Sequence, residues 1–295
     1  MALFKLIKDR LLLPKKKQTM IKTVFVSALI IMVSAQLNAQ YFYKDILSNQ
    51  QLITEMTRLK EQKVRTVSLK SFEDDGSPSE GFYCEKKINK NYTSSETLTK
   101  SYITGASVFT SSFNNKGLLL QTIDSSEISS SSSVYTYYDN DKIKSIVSVL
   151  RSSDDDFKNE IKEEHFYEYD DKGLPVKMTL VKNFNDSTVY IFSPDENNNI
   201  SIEKNTKTND TYYYYYDNKS RLTDVVRLNK FNQKMLPDYM FEYNNGGLIT
   251  QMTTTEEGGS YYFIWKYTYE NGLRVKEKCY SKEKRLMGTI EYEYR

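Results

Sequence analysis

The sequence predicts an all-β protein: an antiparallel meander of repeated β-hairpins forming a long curved or partly closed sheet, with a short N-terminal helix. Three observations predict it. Tyrosine (25 residues) and phenylalanine (14) carry an aromatic content of 14%, and these residue types fit a pleated, half-buried surface. From Lys63 onward apolar and polar residues alternate with period two, as strands with one buried face require. Between the alternating segments, an aromatic residue, an Asp or Asn, a turn and a Leu or Ile recur about every 25 residues.

Taken in order, residues 1–39 read as an export signal. A basic stretch, Lys15–Lys22, precedes the apolar run "TVFVSALIIMVSA" (Thr23–Ala35). Ala39 is a small residue suited to the cleavage site, with Ala35 as a second candidate and Met20 as an alternative start. The run is shorter than the ~20 residues a membrane span needs; an uncleaved anchor is the competing reading. No cysteine follows it to carry a lipid. The expected location is the periplasm, the outer surface or the medium, with no stable membrane span after cleavage. Removing this segment takes away seven Lys/Arg and one acid, so the formal charge of +2 becomes −4. A mildly acidic chain has no electrostatic footprint for nucleic acid.

Residues 40–62 form a second unit. Ser48 reads as a helix N-cap with Gln51 completing a capping box. Leu52, Met56 and Leu59 then share a face, which predicts a helix docked over an end or face of the main domain.

Residues 63–295 form the repeat domain. "VRTVSLKSF", the turn cluster "EDDGSPSEG" and "FYCEKK" make a first hairpin. The recurring unit follows as "FNNKGL" from Phe113, "YDNDKI" from Tyr138, "YDDKGL" from Tyr169 and a degenerate "PDENNNI" from Pro194. It continues as "YDNKSRL" from Tyr216, "YNNGGL" from Tyr243 and "YENGL" from Tyr269, and the chain closes on "EYEYR". Asp and Asn bond their own backbone and tolerate left-handed conformations. Gly173, Gly246, Gly247 and Gly272 supply positive φ, and the Leu or Ile restarts a buried strand. The count comes to about sixteen to eighteen strands of ordinary length.

"YDNKSRL" resembles the Tyr-Asp-x-x-Gly-Arg-Leu pattern of the tyrosine-aspartate (YD, or RHS-type) repeat proteins, with Ser220 in the Gly place. Several other copies read as one residue shorter in the turn and lack the Arg. The resemblance spans roughly Phe113–Arg295 and implies β-hairpin repeats wound into a long curved sheet. Large members of that family enclose toxin domains. This sequence has neither a toxin-sized segment after the repeats nor the family's Asp-Pro-x-Gly motif, so the encapsulation role is not expected to carry over.

Alternation sorts the faces. Tyr167 and Tyr169 oppose Glu168, Phe241 and Tyr243 oppose Glu242, and Ile290, Tyr292 and Tyr294 oppose Glu291 and Glu293. "VYTYYD" breaks the pattern at Tyr138, which predicts a bulge there. Glutamates on one face argue against an outer-membrane barrel, whose outward side chains meet lipid.

Chemistry is sparse. His165 is the only histidine, with no Ser-His-Asp or Cys-His arrangement recognisable around it, and it reads as a packed strand residue. Too few His and Cys exist for a zinc site, and no calcium or phosphate loop occurs. No catalytic residue, metal or cofactor is assigned. "SSEISSSSSV" (Ser125–Val134) reads as a flexible loop. Cys84 and Cys279, the only cysteines, form a possible disulfide in an exported protein; two separate buried thiols are the alternative.

One feature exceeds architecture. Tyr213 and Tyr215 stand on the polar face where sibling strands carry Glu or Thr, and Tyr262 falls on that face in its own strand. They are the candidate ligand-binding residues, able to stack on sugars or anchor a protein; cross-strand pairing is the structural alternative. The expected function is that of an exported, non-enzymatic β-repeat protein acting as a binding or structural surface, with a protein or a cell-envelope glycan as partner. A carbohydrate-binding module is the second expectation, and a hydrolase with an unrecognised carboxylate pair the third.

Overall fold

A computed structural model of the chain describes residues 40–102, 104–152, 160–183, 186–228, 234–255 and 261–295. The export signal expected over residues 1–39 lies outside the described residues. The period-two alternation is realised as eighteen antiparallel strands in one sheet. The first strands are β1 (Thr66–Phe72), β2 (Tyr83–Ile88), β3 (Ser94–Ser101), β4 (Gly105–Phe113), β5 (Leu119–Ser126) and β6 (Ser129–Tyr137). They are followed by β7 (Ile143–Ser152), β8 (Glu160–Tyr169), β9 (Pro175–Lys182), β10 (Asp186–Pro194), β11 (Ile200–Asn205) and β12 (Thr211–Tyr216). The last are β13 (Leu222–Leu228), β14 (Met235–Tyr243), β15 (Ile249–Thr255), β16 (Tyr262–Glu270), β17 (Leu273–Ser281) and β18 (Leu286–Tyr294).

Each strand pairs with its neighbours in sequence, and β18 pairs with β1. The sheet is therefore a closed barrel, which corrects the expectation of a curved or partly closed sheet. Twist accumulates in one sense from strand to strand, and here the two end strands meet in register: Val67 opposite Tyr294 and Leu69 opposite Tyr292. Arg295 N–H donates to the Thr66 carbonyl at 2.9 Å, and Thr66 N–H returns a bond to the Arg295 carbonyl at 2.9 Å. Closure removes both exposed edges.

The tyrosine-bearing turns gather at one rim. In each of six, the first turn residue's N–H (Asn114, Tyr138, Asp170, Asp195, Asp217, Asn244) bonds the carbonyl four residues on. The residue three positions on, Gly117, Asp141, Gly173, Asn198, Ser220 or Gly247, has positive φ. Asp170 Oδ1 accepts from the N–H groups of Lys172 and Leu174, and Asp217 Oδ1 does the same from Lys219 and Arg221. These six turns are equal in length, correcting the reading of shorter copies: Leu118, Leu174 and Leu248 occupy the Arg221 place. The seventh copy, "YENGL", is shorter, a two-residue Asn271–Gly272 turn with both residues at positive φ. In "VYTYYD" the frame slips by one, so Tyr138 takes the Asp place. The bulge expected there is general: a register shift recurs at Phe113, Tyr137, Tyr169, Pro194, Tyr216, Tyr243 and Tyr269.

At four strand ends tyrosine supplies a hydrogen bond as well as a ring. Tyr137, Tyr216, Tyr243 and Tyr294 donate their hydroxyls to the carbonyls of Leu119, Ile200, Leu222 and Arg274, at 2.6–2.8 Å. Each acceptor is the first or second residue of the preceding strand of the same sheet. A phenyl ring would fill the space and leave these carbonyls without that donor.

The serine-rich tract is strand rather than loop, spanning the end of β5 and most of β6. Serines facing one another across strands pair, as in Ser133–Ser148 at 2.8 Å, which lets a low-complexity run sit in a sheet.

Eighteen strands give a wall on the order of 100 Å round, too wide for its own side chains to fill. The N-terminal segment runs through it. A π-helical stretch, Phe42–Leu47, runs directly into helix α1 (Ser48–Glu61). Three successive aromatics reach three sectors of wall: Tyr41 meets Tyr190, Phe42 meets Tyr214, and Tyr43 meets Tyr239 and Phe241. Further along, Met56 and Leu59 pack with Val67, Ile88 and Leu119. Contacts in every direction place this segment inside the barrel, not over an end or face. Ser48 is helical and makes no cap, since the helix begins earlier.

Candidate functional site

The aromatic face lines the lumen and the Glu/Lys face is the outer wall. The lumen is the more elaborate of the two surfaces, because the plug is held by buried polar groups. Glu203 on β11 is fully buried. Its carboxylate accepts the backbone N–H groups of Gln40, Tyr41 and Phe42 at 3.0–3.1 Å and the Tyr214 hydroxyl at 2.7 Å. Those N–H groups are the free donors of a helix start, where a carboxylate also meets the positive end of the helix dipole. Burial raises the Glu203 pKa, and the four donors oppose that shift.

Asp45 makes the second attachment. It accepts from His165 Nδ1 and from the Tyr167 hydroxyl, both at 2.6 Å. Burial pushes His165 toward neutrality, but Asp45 and Glu163 outweigh it and hold the imidazole pKa at about 9. His165 Nε2 has no hydrogen-bond partner among the described residues; Glu163 faces it at 3.8 Å. The imidazolium and Lys182 keep Glu163 at about 2 despite its burial. A third attachment joins Gln40 to Asp238, which pairs with Arg227 at 3.0 Å. Asn49 donates to Tyr137 at 3.0 Å, Lys86 pairs with Glu55, and Gln62 reaches the Asn271 carbonyl at the tight-turn rim.

Sequence reasoning did not find Glu203, Asp45 or the role of His165. Glu203 was hidden by the bulge. Pro194 lies opposite Ile200 and Ser193 opposite Ile202, so Ser201 is the extra residue and the inward parity passes from Ile200 to Glu203. Asp45 and His165 are 120 positions apart, and nothing local in the sequence links them.

The three candidate tyrosines face outward. Tyr213 lies between Ile202 and Val226 on neighbouring strands and is half-buried. Tyr215 lies opposite Asp224 and is 48% exposed. The two share β12. Tyr262 stands on β16, four strands away, opposite Thr255. Tyr213 and Tyr215 therefore form one surface and Tyr262 another. Cys84 and Cys279 are both buried free thiols on the lumen face, with β1 and β18 between their strands; pairing of β1 with β18 closes the barrel. Among the described residues, no group of three His, Cys, Asp or Glu side chains is placed to hold a metal ion.

No family model matches the chain, and no curated protein matches it. Among solved structures, it is similar to a porin-like protein from Bacteroides uniformis ATCC 8492, at 12% identity and a TM-score of 0.38, covering 79% of this chain and 96% of that one. A porin-like protein from Bacteroides vulgatus ATCC 8482 gives 13% identity and a TM-score of 0.27, covering 79% and 98%. The complex TcdB2-TccC3-Cdc42 gives 12% identity and a TM-score of 0.33 over 73% of this chain, which spans only 12% of that chain.

Proposed function

We propose that the chain is an exported, non-enzymatic barrel that works in water as a binding body, with its lumen occupied by its own N-terminal segment. The observation that carries this reading is the direction of the two faces. The tyrosines and the plug fill the inside, while the outer wall presents Lys276 with Glu291, Lys70 with Glu293 and Lys177 with Glu168. Such pairs are at home in water and costly against hydrocarbon. The plug stands where a channel would need open space, and its attachment takes up the buried carboxylate of Glu203. Kinship with the tyrosine-aspartate repeats is part of the proposal: it is supported by the six equal turns and by the hydroxyl-to-carbonyl bonds.

The test is preparation of the mature protein without detergent. A monodisperse monomer by sedimentation, released with the periplasmic or extracellular fraction and beginning near residue 40 by mass spectrometry, is the expected result. A protein that requires detergent, or one retaining Met1 or Met20, overturns it.

A second reading has its own observation. The Tyr213 and Tyr215 hydroxyls have no hydrogen-bond partner among the described residues, and Tyr215 is exposed. Carbohydrate binding through this pair predicts glycan-array signals that disappear in the Tyr213→Ala/Tyr215→Ala double variant; unchanged signals sink it.

A further inference from the structure

We propose that the lumen holds a binding site for a small organic cation carrying an apolar body, built on one register row of the inner wall. The row runs Thr97, Phe109, Asp124, Ser131, Leu150 and Ile161, each directly opposite the next across β3 to β8. It faces the lumen. Thr97 lies opposite Lys86, which pairs with Glu55 of the plug, and Ile161 shares its parity with His165, which bonds Asp45. The inference deepens the binding role proposed above and rests on the barrel being a container in water.

The row slopes from mid-wall to the mouth. Thr97 is 7% exposed, while Leu150 and Ile161, near the strand ends, are 38% and 45% exposed although they point inward. Ile161 lies past the last β8–β9 pair, Glu163 with Lys182, so it and Leu150 opposite it stand at the open mouth of the barrel.

Two polar groups in the row lack partners. Asp124 has no hydrogen bond or ion pair among the described residues, and burial alone raises its pKa. Thr97 Oγ1 is buried without a hydrogen-bond partner. A half-buried carboxylate with no counter-charge is unfavourable unless something pairs with it. Two cations that share the inward face are engaged elsewhere: Lys86 with Glu55, and Lys182 with Glu163. An incoming cation would match Asp124, meet the face of Phe109 opposite it, and lay its apolar part on Leu150 and Ile161. An anion meets the charge of Asp124. An uncharged sugar leaves that charge unmatched and meets two aliphatic side chains.

The experiment is titration calorimetry on the mature full-length barrel with octyltrimethylammonium below its micelle concentration, with octyl glucoside and octyl sulfate as comparators. Saturable binding of the ammonium alone is expected, weakened about tenfold or more by Asp124→Asn. A Leu150→Ser/Ile161→Ser variant should also bind more weakly, with Asp124 intact. Because Asp124 is unpaired, Asp124→Asn should keep or raise the melting temperature, and Phe109→Leu gives an independent loss of affinity. No binding to the wild type, equal binding of the glucoside or sulfate, or an unchanged affinity in Asp124→Asn each overturns the site. Failure of the aqueous-barrel reading appears beforehand and separately, as a need for detergent.

Discussion

The Glu203 carboxylate accepts the backbone N–H of Phe42 at 3.0 Å across 161 residues of sequence, so the start of the plug is capped by the wall that surrounds it. A cap residue usually stands beside its helix in sequence. Here it is supplied from the far side of the closure event, and helix and barrel depend on one another.

Removing that cap should be severe. Glu203→Ala strands three helix-start N–H groups and the Tyr214 hydroxyl in a buried place, a loss of about 3–5 kcal/mol. Urea unfolding followed by far-UV circular dichroism measures it. A loss under 1 kcal/mol would mean that the plug is not held there.

The His165–Asp45 contact should make stability depend on pH. The folded pKa of His165 lies at about 9 against an ordinary 6.5. A raised pKa means the stabilisation is complete below about pH 6.5 and disappears as pH rises through about 9. The full effect is on the order of 3 kcal/mol. Melting temperature should fall across this window in the wild type, and His165→Gln should lack that component. Parallel curves for the two proteins would refute the assignment.

The repeat tyrosines should be worth more than their rings. Tyr243→Phe removes the donor to the Leu222 carbonyl and should cost about 1 kcal/mol or somewhat more. Tyr213→Phe, on the outer wall, should change stability by less than about 0.5 kcal/mol. Equal effects at the two positions would argue that the inner hydroxyl bonds contribute nothing.

Turn chemistry gives a stabilising change. Ser220 holds φ at 56° where sibling turns have Gly173 and Gly247. Ser220→Gly relieves left-handed strain and should raise stability by up to about 1 kcal/mol. Gly173→Ala should do the reverse, because its φ is 76° and a Cβ would approach Lys142 Cε to 3.4 Å. Thermal melts of both variants, moving in opposite directions, are the expected result.

Much of the wall was legible in sequence because its causes are local. Strand alternation, turn residues and the inward set Tyr212, Tyr214 and Tyr216 all follow from period two and from Asp217, within a few residues of one another. The outward placement of Tyr213 and Tyr215 follows from the same count. Where local counting failed, a single inserted residue was responsible: the bulge at Ser201 carries Glu203 inward, and the one-residue slip at Tyr138 disguises an ordinary turn as an exception.

The sequence by itself determined an all-β meander, its period, its two faces and a helix near residues 48–61. Only the tertiary structure decided that the meander closes, that the helix lies inside it, and that Glu203 and His165 hold that helix. The physical reason is distance along the chain. Closure depends on twist summed over eighteen strands, and the plug contacts of Glu203, His165 and Asp238 join residues more than a hundred positions apart. Neither leaves a mark in any short window of sequence.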